Sequence, residues 1–455
     1  MLMTFAETGF EIICNGNTDG FDSVHIDSRN VEPFSLFVAL DGENVDGHQF
    51  VKNAFDAGAC GAIVEKHKIN DYKLKELATT KKCTLLGTDN SLHALQSMAE
   101  SYLQKFDSLL KIGITGSAGK TTVKEITASI FSAEYGSENV VCNEGNLNSE
   151  TGLPLSVFKV RAPHKVGIFE MGMNRHNEIA ELAKVLKPDI ACITNTGSAH
   201  IGLIGSTEKI ALEKKDIFSE FNGNQTAIIP SDGEFTELLS KNINGKINYF
   251  SIAEFEKCGG KKNSKGLNGS EIFFDGKKSN FPLPGDHNFK NALAAMAIAK
   301  AANVSTDSIM KGLSVIRSLF GRCEIINGEI TLVRDCYNSN PQSLCEAVSL
   351  CDSVQWDGKK NYVIGSMFEL GSISKIEHKK AGLMLENSSC DFVYLFGDET
   401  LETKAAIKNK KCFWTNDIEE LKGELKKNVH KGDFVLLKGS RGCALERVSF
   451  SELQN

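Results

Sequence analysis

Short apolar runs alternate with amphipathic stretches along most of the chain. In the first hundred residues, apolar runs at 35–40 and 61–64 flank a stretch at 50–57 whose apolar positions have helical spacing. A helical stretch at 92–106 then leads into an apolar run at 110–115, which stops at a glycine-bearing turn. This pattern predicts a small α/β domain over residues 1–108.

The alternation of strands and helices continues after residue 109. Strands are predicted at 166–171, 189–195 and 226–230, and such alternation implies parallel strands joined by crossover helices. The polar, glycine-containing stretch at 257–266 is predicted to be a surface loop. An alanine-rich helix at 291–302 is expected to close this central domain, which we place at 109–317.

The pattern restarts after about residue 318. Strands are predicted at 331–333, 361–364, 392–396 and 434–437, with helical segments between them. This arrangement is typical of a nucleotide-binding α/β layer fold. The sequence therefore predicts an α/β protein with a small N-terminal domain, a central parallel-sheet domain and a C-terminal Rossmann-like domain over 318–455.

Composition narrows the class of protein. A chain of 455 residues with 41% hydrophobic and 24% charged residues is typical of a globular protein of two to four compact units. The net charge of -7 gives no broad basic surface, so nucleic acid is not expected as a partner. Residues 1–10 lack a basic start and a long apolar run, which favours a cytoplasmic protein without membrane insertion. The 13 cysteines form no CxxC pair and are expected to be reduced.

A glycine-rich turn between the predicted strand at 110–115 and the following helix indicates a phosphate-binding loop. Backbone amides of such a loop converge on phosphate oxygens, the lysine reaches the terminal phosphates, and the hydroxyl after it binds Mg²⁺. The spacing departs from GxxxxGK[ST], because Ile114 stands at the position of the first glycine. A tight turn without a ligand is the alternative. The predicted ATP-binding residues of the loop are Thr115, Gly116, Ser117, Ala118, Gly119, Lys120, Thr121 and Thr122.

Two further strand ends and one helix carry candidate metal ligands. Glu170 ends the strand at 166–171, and His200 follows the strand at 189–195. If these strands are parallel neighbours, both side chains reach one edge of the sheet. Each residue could instead be structural, since Mg²⁺ prefers oxygen ligands and a strand-end glutamate often points to solvent. Lys214, in the helical stretch 210–218, could likewise be an ordinary member of a surface charge pair.

Motifs spread over nearly the whole chain resemble the Mur ligase family. The loop at 115–121 has the pattern Thr-Gly-x-x-Gly-Lys-Thr, which is the spacing of these ligases and of folylpolyglutamate synthetases. Further matching segments lie at 27–29, 36–48, 145–148, 170–174, 199–202, 283–295, 321–322, 335–341, 365–371 and 437–441. Ser366 and Cys336 depart from the family's aspartate and serine. The Asp-Asn-Pro-Arg motif of many diaminopimelate-adding MurE-type members is absent.

The resemblance implies a role for individual residues. Asn291 would meet adenine, while Arg322 and Asp335 would complete the ATP site from the C-terminal domain. Thr121, Glu170 and His200 would hold Mg²⁺ together with Lys214, carbamylated by CO₂. Lys120, Lys214 and His200 would be the catalytic residues. The expected UDP-substrate-binding residues of the N-terminal and central domains are Ser28, Arg29, Asn44, Asp46, His48, Asn146 and Asn148.

The resemblance also implies a reaction. We expect ATP-dependent addition of D-alanyl-D-alanine to a UDP-N-acetylmuramoyl-tripeptide through an acyl phosphate. This reaction belongs to cytoplasmic peptidoglycan precursor synthesis, and a monomer is expected. The alternatives are a MurE-type amino-acid-adding ligase, a folylpolyglutamate-type ligase, or a phosphate-loop protein that hydrolyses nucleotide to regulate partners. The third residue of the tripeptide stays open.

Overall fold

The computed structural model describes residues 2–42, 44–199 and 201–448. The chain divides into two compact units. The first unit comprises Met1–Gly113, Glu138–Met173 and Glu178–Asp189. The second unit comprises Ile114–Ser137, Asn174–Asn177 and Ile190–Asn455.

The strands of the described residues are short and spread over the whole chain. They are β1 (Met3–Thr4), β2 (Glu11–Cys14), β3 (Gly20–Phe21), β4 (Ser23–His25), β5 (Ser35–Val38), β6 (Gly61–Glu65), β7 (Thr84–Thr88), β8 (Leu110–Thr115), β9 (Val140–Cys142), β10 (Val166–Glu170), β11 (Ile190–Ile193), β12 (Thr226–Pro230), β13 (Lys246–Phe250), β14 (Lys261–Ser264), β15 (Ser270–Phe274), β16 (Lys277–Phe281), β17 (Glu324–Asn327), β18 (Thr331–Asp335), β19 (Lys360–Gly365), β20 (Phe392–Phe396), β21 (Lys411–Thr415) and β22 (Phe434–Lys438).

Most of the helices connect successive parallel strands. They are α1 (Val51–Ala57), α2 (Leu74–Lys81), α3 (Ser91–Leu103), α4 (Lys120–Tyr135), α5 (Gly152–Val157), α6 (Glu178–Leu186), α7 (Ile201–Ile204), α8 (Thr207–Lys215), α9 (Thr236–Ser240), α10 (Ile252–Lys257), α11 (Asp286–Ala301), α12 (Thr306–Val315), α13 (Pro341–Ser353), α14 (Ser374–Glu386), α15 (Leu401–Ala406) and α16 (Ile418–Asn428). The predicted α/β class is confirmed.

The start of the first unit is a five-stranded sheet in the order β2-β7-β6-β5-β4. Strands β4 to β7 pair parallel, whereas β2 is an antiparallel edge. Parallel neighbours need crossover connections, which α1 and α2 supply. Val51, Phe55 and Leu74 of these helices share one buried cluster with Phe37 and Leu85 of the sheet. The strands and the helix predicted for this region are confirmed.

Strand β8 contributes residues to both units. The strand order is β8-β10-β9 in the first unit and β13-β12-β11-β8 in the second. The pairs β9–β10, β11–β12 and β12–β13 are parallel. Their carboxyl ends therefore line one edge within each group, which is where ligands bind in open α/β sheets. In the second unit, α11 packs against α4, β11 and β12.

Two predictions for the region after β13 were wrong in part. Residues 261–264, predicted to lie in a surface loop, form β14, the edge of an antiparallel sheet in the order β14-β15-β16. Its side chains are polar because the strand contributes backbone pairing at an exposed edge, where lysines are common. The helix predicted to close this region begins earlier, at Asp286, and a further helix, α12, follows it.

The last part of the second unit is a six-stranded sheet in the order β17-β18-β22-β19-β20-β21. All neighbours are parallel except β17, which pairs antiparallel with β18. Both faces are covered, as parallel sheets require. Phe434 and Leu436 of β22 enter one apolar cluster, while Val435 and Leu437 enter the other. Successive side chains of the strand point to opposite faces of the sheet. Because both faces are covered, every residue from 434 to 437 is apolar.

The contact between α12 and α4 allows a stability test. A Cβ on Gly312 would lie 2.4 Å from Ile130 Cα and 2.6 Å from Ile130 N, so the helix backbones touch at this glycine. We expect Gly312→Ala to lower the free energy of unfolding by about 1–3 kcal/mol, the usual cost of overpacking. Thermal or denaturant unfolding of the full chain measures this.

Gly423→Ala is the matched control, because Gly423 lies in α16 with open space where a Cβ would be built. We expect that substitution to be neutral or to stabilise by up to about 1 kcal/mol, since alanine favours helices over glycine. Equal effects of the two substitutions would contradict the close packing of α12 on α4.

Candidate active site

The predicted phosphate loop joins β8 to α4. Thr115 ends the strand, and Lys120 begins the helix. Gly119 adopts φ 78° at the start of α4, in the left-handed region that favours glycine. A Cβ on Gly119 would lie 2.4 Å from Asn291 Oδ1, and one on Gly116 would overlap Thr194 Oγ1 at 1.9 Å. Both glycines are thus required by close neighbours as well as by backbone geometry.

The end of β11 braces this loop. The Asn195 side chain accepts from the Ala118 N–H (2.9 Å) and donates to the Ala118 carbonyl (2.9 Å). Thr194 Oγ1 also donates to the Ala118 carbonyl (2.6 Å), and the Ser117 N–H donates to the Asn195 carbonyl (3.1 Å). Sequence reasoning missed Thr194 and Asn195 as site residues. Their position after an apolar strand was the available signal.

Lys120 and Asn291, both predicted for the ATP site, lie at the loop. The Lys120 ammonium donates to the Gly116 carbonyl (2.8 Å) and so lies across the turn. Asn291 is buried in α11 and faces Gly119. Thr121 is nearly buried in the first turn of α4, where helix amides and the helix dipole favour an anion. The structure therefore brings these residues together at a helix N-terminus suited to phosphate.

A small pocket, partly open to solvent, lies beside this helix start. Thr122 and Arg322, both predicted for the ATP site, line it together with Asn288 and Leu319. The Arg322 guanidinium stacks on the ring of Tyr337 at 4.1 Å. Asn288 and Leu319 were not predicted, although Asn288 stands within the motif segment at 283–295. The pocket thus brings a guanidinium and a side-chain amide next to apolar walls.

Asp335 lies at the carboxyl end of β18, where it is engaged by neighbours. Its Oδ1 accepts from the Cys323 N–H (3.0 Å), and its Oδ2 pairs with Lys438 Nζ (2.9 Å). Lys438 is buried and also donates to the Asn338 carbonyl (2.8 Å). The pair neutralises two charges at this edge of the C-terminal sheet. Lys438 lies in the motif segment at 437–441, but its role as the partner of Asp335 was not predicted.

Lys214 lies in α8 with only 1% of its surface exposed. Burial and the nearby charge of Lys120 lower the pKa of Lys214 well below its ordinary value, against the opposing effect of Glu213. Lowering this pKa raises the fraction of neutral amine, which is the nucleophilic form of lysine. Glu213 is also buried, with the His176 ring 3.8 Å from its carboxylate. The position of Lys214 does not fit the exposed surface pair considered as the alternative.

Glu170 ends β10 in the first unit and is buried. Asn148 Nδ2 donates to its Oε1 (2.7 Å), while the Asn143 side chain accepts from the Glu170 N–H and donates to its carbonyl, each at 2.9 Å. Asn148 therefore orients the carboxylate. Asn143 was missed by sequence reasoning, and Asn146 is exposed nearby.

The predicted uridine-nucleotide residues of the first unit fall into two groups. Ser28 and Arg29 begin a short turn capped by Asp27, and Arg29 pairs with that carboxylate at 2.6 Å. Hydrogen bonds from Arg29 lower the pKa of Asp27 to about 2. Asn44 is exposed in the loop that precedes Asp46.

Asp46 is the centre of the second group. It accepts from His48 Nδ1 (2.7 Å), Lys68 Nζ (2.8 Å) and Tyr72 Oη (2.8 Å). Partial burial opposes ionisation, but these hydrogen bonds hold the pKa of Asp46 well below its usual range. His48 is fully buried, and its Nε2 accepts from the Glu65 N–H (2.9 Å). His48 thus supports the loop from behind, and the distant Lys68 and Tyr72 were not predictable from local sequence.

The metal prediction stays a prediction. His200 lies outside the described residues. Glu170 belongs to the first unit, and Thr121 and Lys214 belong to the second. Within the described part of the chain, no group of three or more His, Cys, Asp and Glu side chains forms a ready metal site. No helix there has the length and hydropathy needed to cross a membrane.

Comparisons with known proteins agree with the motif resemblance. Residues 21–102 match the Mur ligase family catalytic domain, 114–299 the Mur ligase middle domain, and 321–441 the Mur ligase glutamate ligase domain. A UDP-N-acetylmuramoyl-tripeptide–D-alanyl-D-alanine ligase of Treponema pallidum (strain Nichols) is 38% identical over 98% of both chains.

Two solved structures are similar over nearly the full length. MurF from Acinetobacter baumannii superposes with a TM-score of 0.87 at 26% identity, covering 98% of this chain and 97% of that chain. MurF ligase from Thermotoga maritima in complex with ADP gives a TM-score of 0.80 at 27% identity, covering 95% and 96%.

The phosphate loop and these similarities define an ATP-dependent ligase that forms carbon–nitrogen bonds. The chain belongs to the Mur ligase family.

The brace on the phosphate loop allows a binding test. Asn195→Ala removes both side-chain hydrogen bonds to Ala118. We expect adenine nucleotide affinity to fall about 10-fold or more, because a loop polar group loses its partner at a typical cost of about 1–3 kcal/mol. Calorimetric titration with ADP measures the affinity.

Asn244→Ala at an exposed position is the control and should bind ADP like the unmodified protein. Unchanged ADP affinity of Asn195→Ala would show that the loop keeps its shape without this brace.

Proposed function

We propose that this chain adds D-alanyl-D-alanine to UDP-N-acetylmuramoyl-tripeptide in an ATP-dependent reaction of peptidoglycan biosynthesis. The observation that carries the proposal is the braced phosphate loop at residues 115–122, in a chain that matches a ligase named for this reaction over its whole length. The product is the corresponding UDP-linked pentapeptide, released with ADP and phosphate.

The chemistry has two steps. A terminal carboxylate oxygen of the tripeptide attacks the γ-phosphorus of ATP, the bond to the bridging oxygen breaks, and ADP leaves. The resulting acyl phosphate is attacked at its carbonyl carbon by the amine of D-alanyl-D-alanine. The tetrahedral intermediate expels phosphate, the nitrogen loses a proton, and an amide remains. Lys120 and the amides at the start of α4 stabilise the negative charge of the transferring group.

The chemistry of several residues, each taken by itself, supports a Mg²⁺ site with a carbamylated lysine. Glu170 is a buried carboxylate oriented by Asn148, and Thr121 offers a hydroxyl at the start of α4. Lys214 is buried, with the lowered pKa that favours the neutral amine needed to add CO₂ and release a proton. Thr121, Glu170, His200 and the carbamate of Lys214 would hold the metal. When bound, Mg²⁺ neutralises phosphate charge.

The substrates would contact several loops. Ser28, Arg29, Asn44, Asp46, Asn146 and Asn148 would bind the UDP-linked substrate, with His48 supporting Asp46 from behind. Asn291 and Arg322 would contact the adenine nucleotide. Asp335 would act with its partner Lys438 at the carboxyl end of β18.

Three functional domains follow from this assignment. The matched family segments 21–102, 114–299 and 321–441 fall one each within the ranges 1–108, 109–317 and 318–455. The N-terminal domain would bind the UDP moiety, the central domain ATP, and the C-terminal domain would complete the site. We place the enzyme in the cytoplasm as a monomer, supporting cell wall synthesis, cell shape and division.

The carbamate assignment has a chemical test. We expect Lys214→Ala to lower turnover about 100-fold, the scale on which the loss of one preorganised electrostatic partner acts. Short carboxylic acids such as acetate should restore part of this activity by supplying the missing oxygen ligands. Phosphate release, measured with and without acetate, gives both quantities.

Lys209→Ala, at an exposed position of the same helix, controls for the loss of a positive charge. Failure of acetate to rescue Lys214→Ala, together with no carbamate in high-resolution density at Lys214, would exclude this role.

Substrate dependence separates ligation from a regulatory nucleotide switch. We expect phosphate release only when both a UDP-muramoyl tripeptide and D-alanyl-D-alanine are present, because the acyl phosphate needs the carboxylate and its turnover needs the amine. The measurement is a phosphate-release assay with each substrate omitted in turn. Rapid phosphate release with neither peptide substrate present would favour the regulatory switch. The same assay with tripeptides that differ at the third residue would show which tripeptide the enzyme accepts.

A further inference from the structure

The chain that leaves β11 contacts two parts of the second unit. We call residues 194–199 and 201–202 the exit segment. At its start, Asn195 holds Ala118 of the phosphate loop. Further along, the Gly197 N–H donates to Ser117 Oγ (2.8 Å), and Ser117 Oγ donates to the Gly197 carbonyl (3.2 Å). The exit segment is therefore tied to the phosphate loop at two positions.

Gly202, at the other end of the exit segment, meets the loop that follows β19. Its N–H donates to the Glu369 carbonyl (3.2 Å). A Cβ on Gly202 would lie 2.8 Å from Gly371 N and 2.9 Å from Glu369 O. In return, a Cβ on Gly371 would lie 2.7 Å from Gly202 Cα. Backbone touches backbone here, and a side chain on either glycine would push the two apart.

Two neighbours extend the contact. The Ile201 side chain packs against the apolar cluster of the C-terminal sheet that includes Met367 and Leu370. Gln342 Oε1, on α13, lies 2.7 Å from where a Cβ on Gly197 would be. Gly197, Ile201 and Gly202 thus all face the C-terminal sheet and its helices.

The loop on the far side of the contact is held in place. The Met367 N–H donates to His378 Nε2 (3.1 Å), and the Phe368 N–H donates to Ser440 Oγ (3.0 Å). Glu369 adopts φ 64° and Gly371 φ 53°, both left-handed. A turn fixed from behind by α14 and by the residues after β22 cannot shift freely to accommodate a larger residue at Gly202.

We propose that Gly202 is a positioning residue for ligation, and this inference rests on the proposed function. The absence of a side chain lets the turn at 369–371 lie directly on the exit segment. The exit segment also holds the phosphate loop. The contact between Gly202 and the turn at 369–371 therefore fixes the position of the phosphate loop relative to the residues at the carboxyl edge of the C-terminal sheet. Gly202 acts through Glu369 and Gly371 and need not touch a substrate. Small misplacements of reacting groups lower rates steeply, so the contact bears on turnover.

Substitution of Gly202 tests the proposal, since its φ lies outside the left-handed region and alanine would therefore strain only the contact with the turn at 369–371. We expect Gly202→Ala to lower kcat about 10-fold and Gly202→Val to lower it further, as the misplacement grows. ADP affinity should stay within about threefold, because the loop brace at Asn195 is untouched. Phosphate release with both peptide substrates, ADP titration and thermal unfolding of the full chain are the three measurements.

Leu203→Ala is the matched control on the same short helix, because Leu203 is 58% exposed. It should retain kcat. Wild-type kcat in both Gly202 variants would overturn the proposal. A loss of kcat matched by a loss of thermal stability would also overturn it, because it would indicate a general structural role of Gly202. If the unmodified protein releases no phosphate with both substrates, the proposed function fails first, which is a distinct result.

Discussion

The hydrogen bonds between Asn195 and Ala118 are the interaction on which the site depends. A phosphate loop must hold glycines in conformations that an unfolded chain samples freely, and that order costs conformational entropy. The side-chain amide at the end of β11 offsets this cost by pairing with both the N–H and the carbonyl of one loop residue. The loop is therefore shaped by the neighbouring strand end before any nucleotide arrives, which is what preorganised binding of phosphate requires.

Several charged side chains of the second unit are buried. Lys438 and Asp335 pair across adjacent strand ends of the C-terminal sheet, and Lys214 is buried in the helix that follows the exit segment. Burying a charge is costly unless a partner compensates, and Asp335 and Lys438 compensate each other. In the loop after β5, Asp46 accepts hydrogen bonds from three side chains, and these bonds hold that loop in place.

Local signals predicted much of the fold. The strands Thr226–Pro230 and Phe392–Phe396 were placed with the observed bounds, because buried parallel strands are continuous apolar runs. Strand β14 was missed because an exposed edge carries polar side chains and is held by backbone pairing alone. The phosphate loop was found from its glycines and lysine, whereas Thr194 and Asn195 were missed because their partners lie more than seventy positions away.

By itself, the sequence determined the α/β class, the phosphate loop and the family, since these depend on period, glycine spacing and motif, which are local properties of the chain. The tertiary structure alone decided which side chains support that loop, that the Glu65 N–H donates to His48, and that Gly202 meets Gly371. Those contacts join residues distant along the chain, and no local pattern encodes them. They exist because packed backbones leave room for one conformation and for particular side-chain volumes.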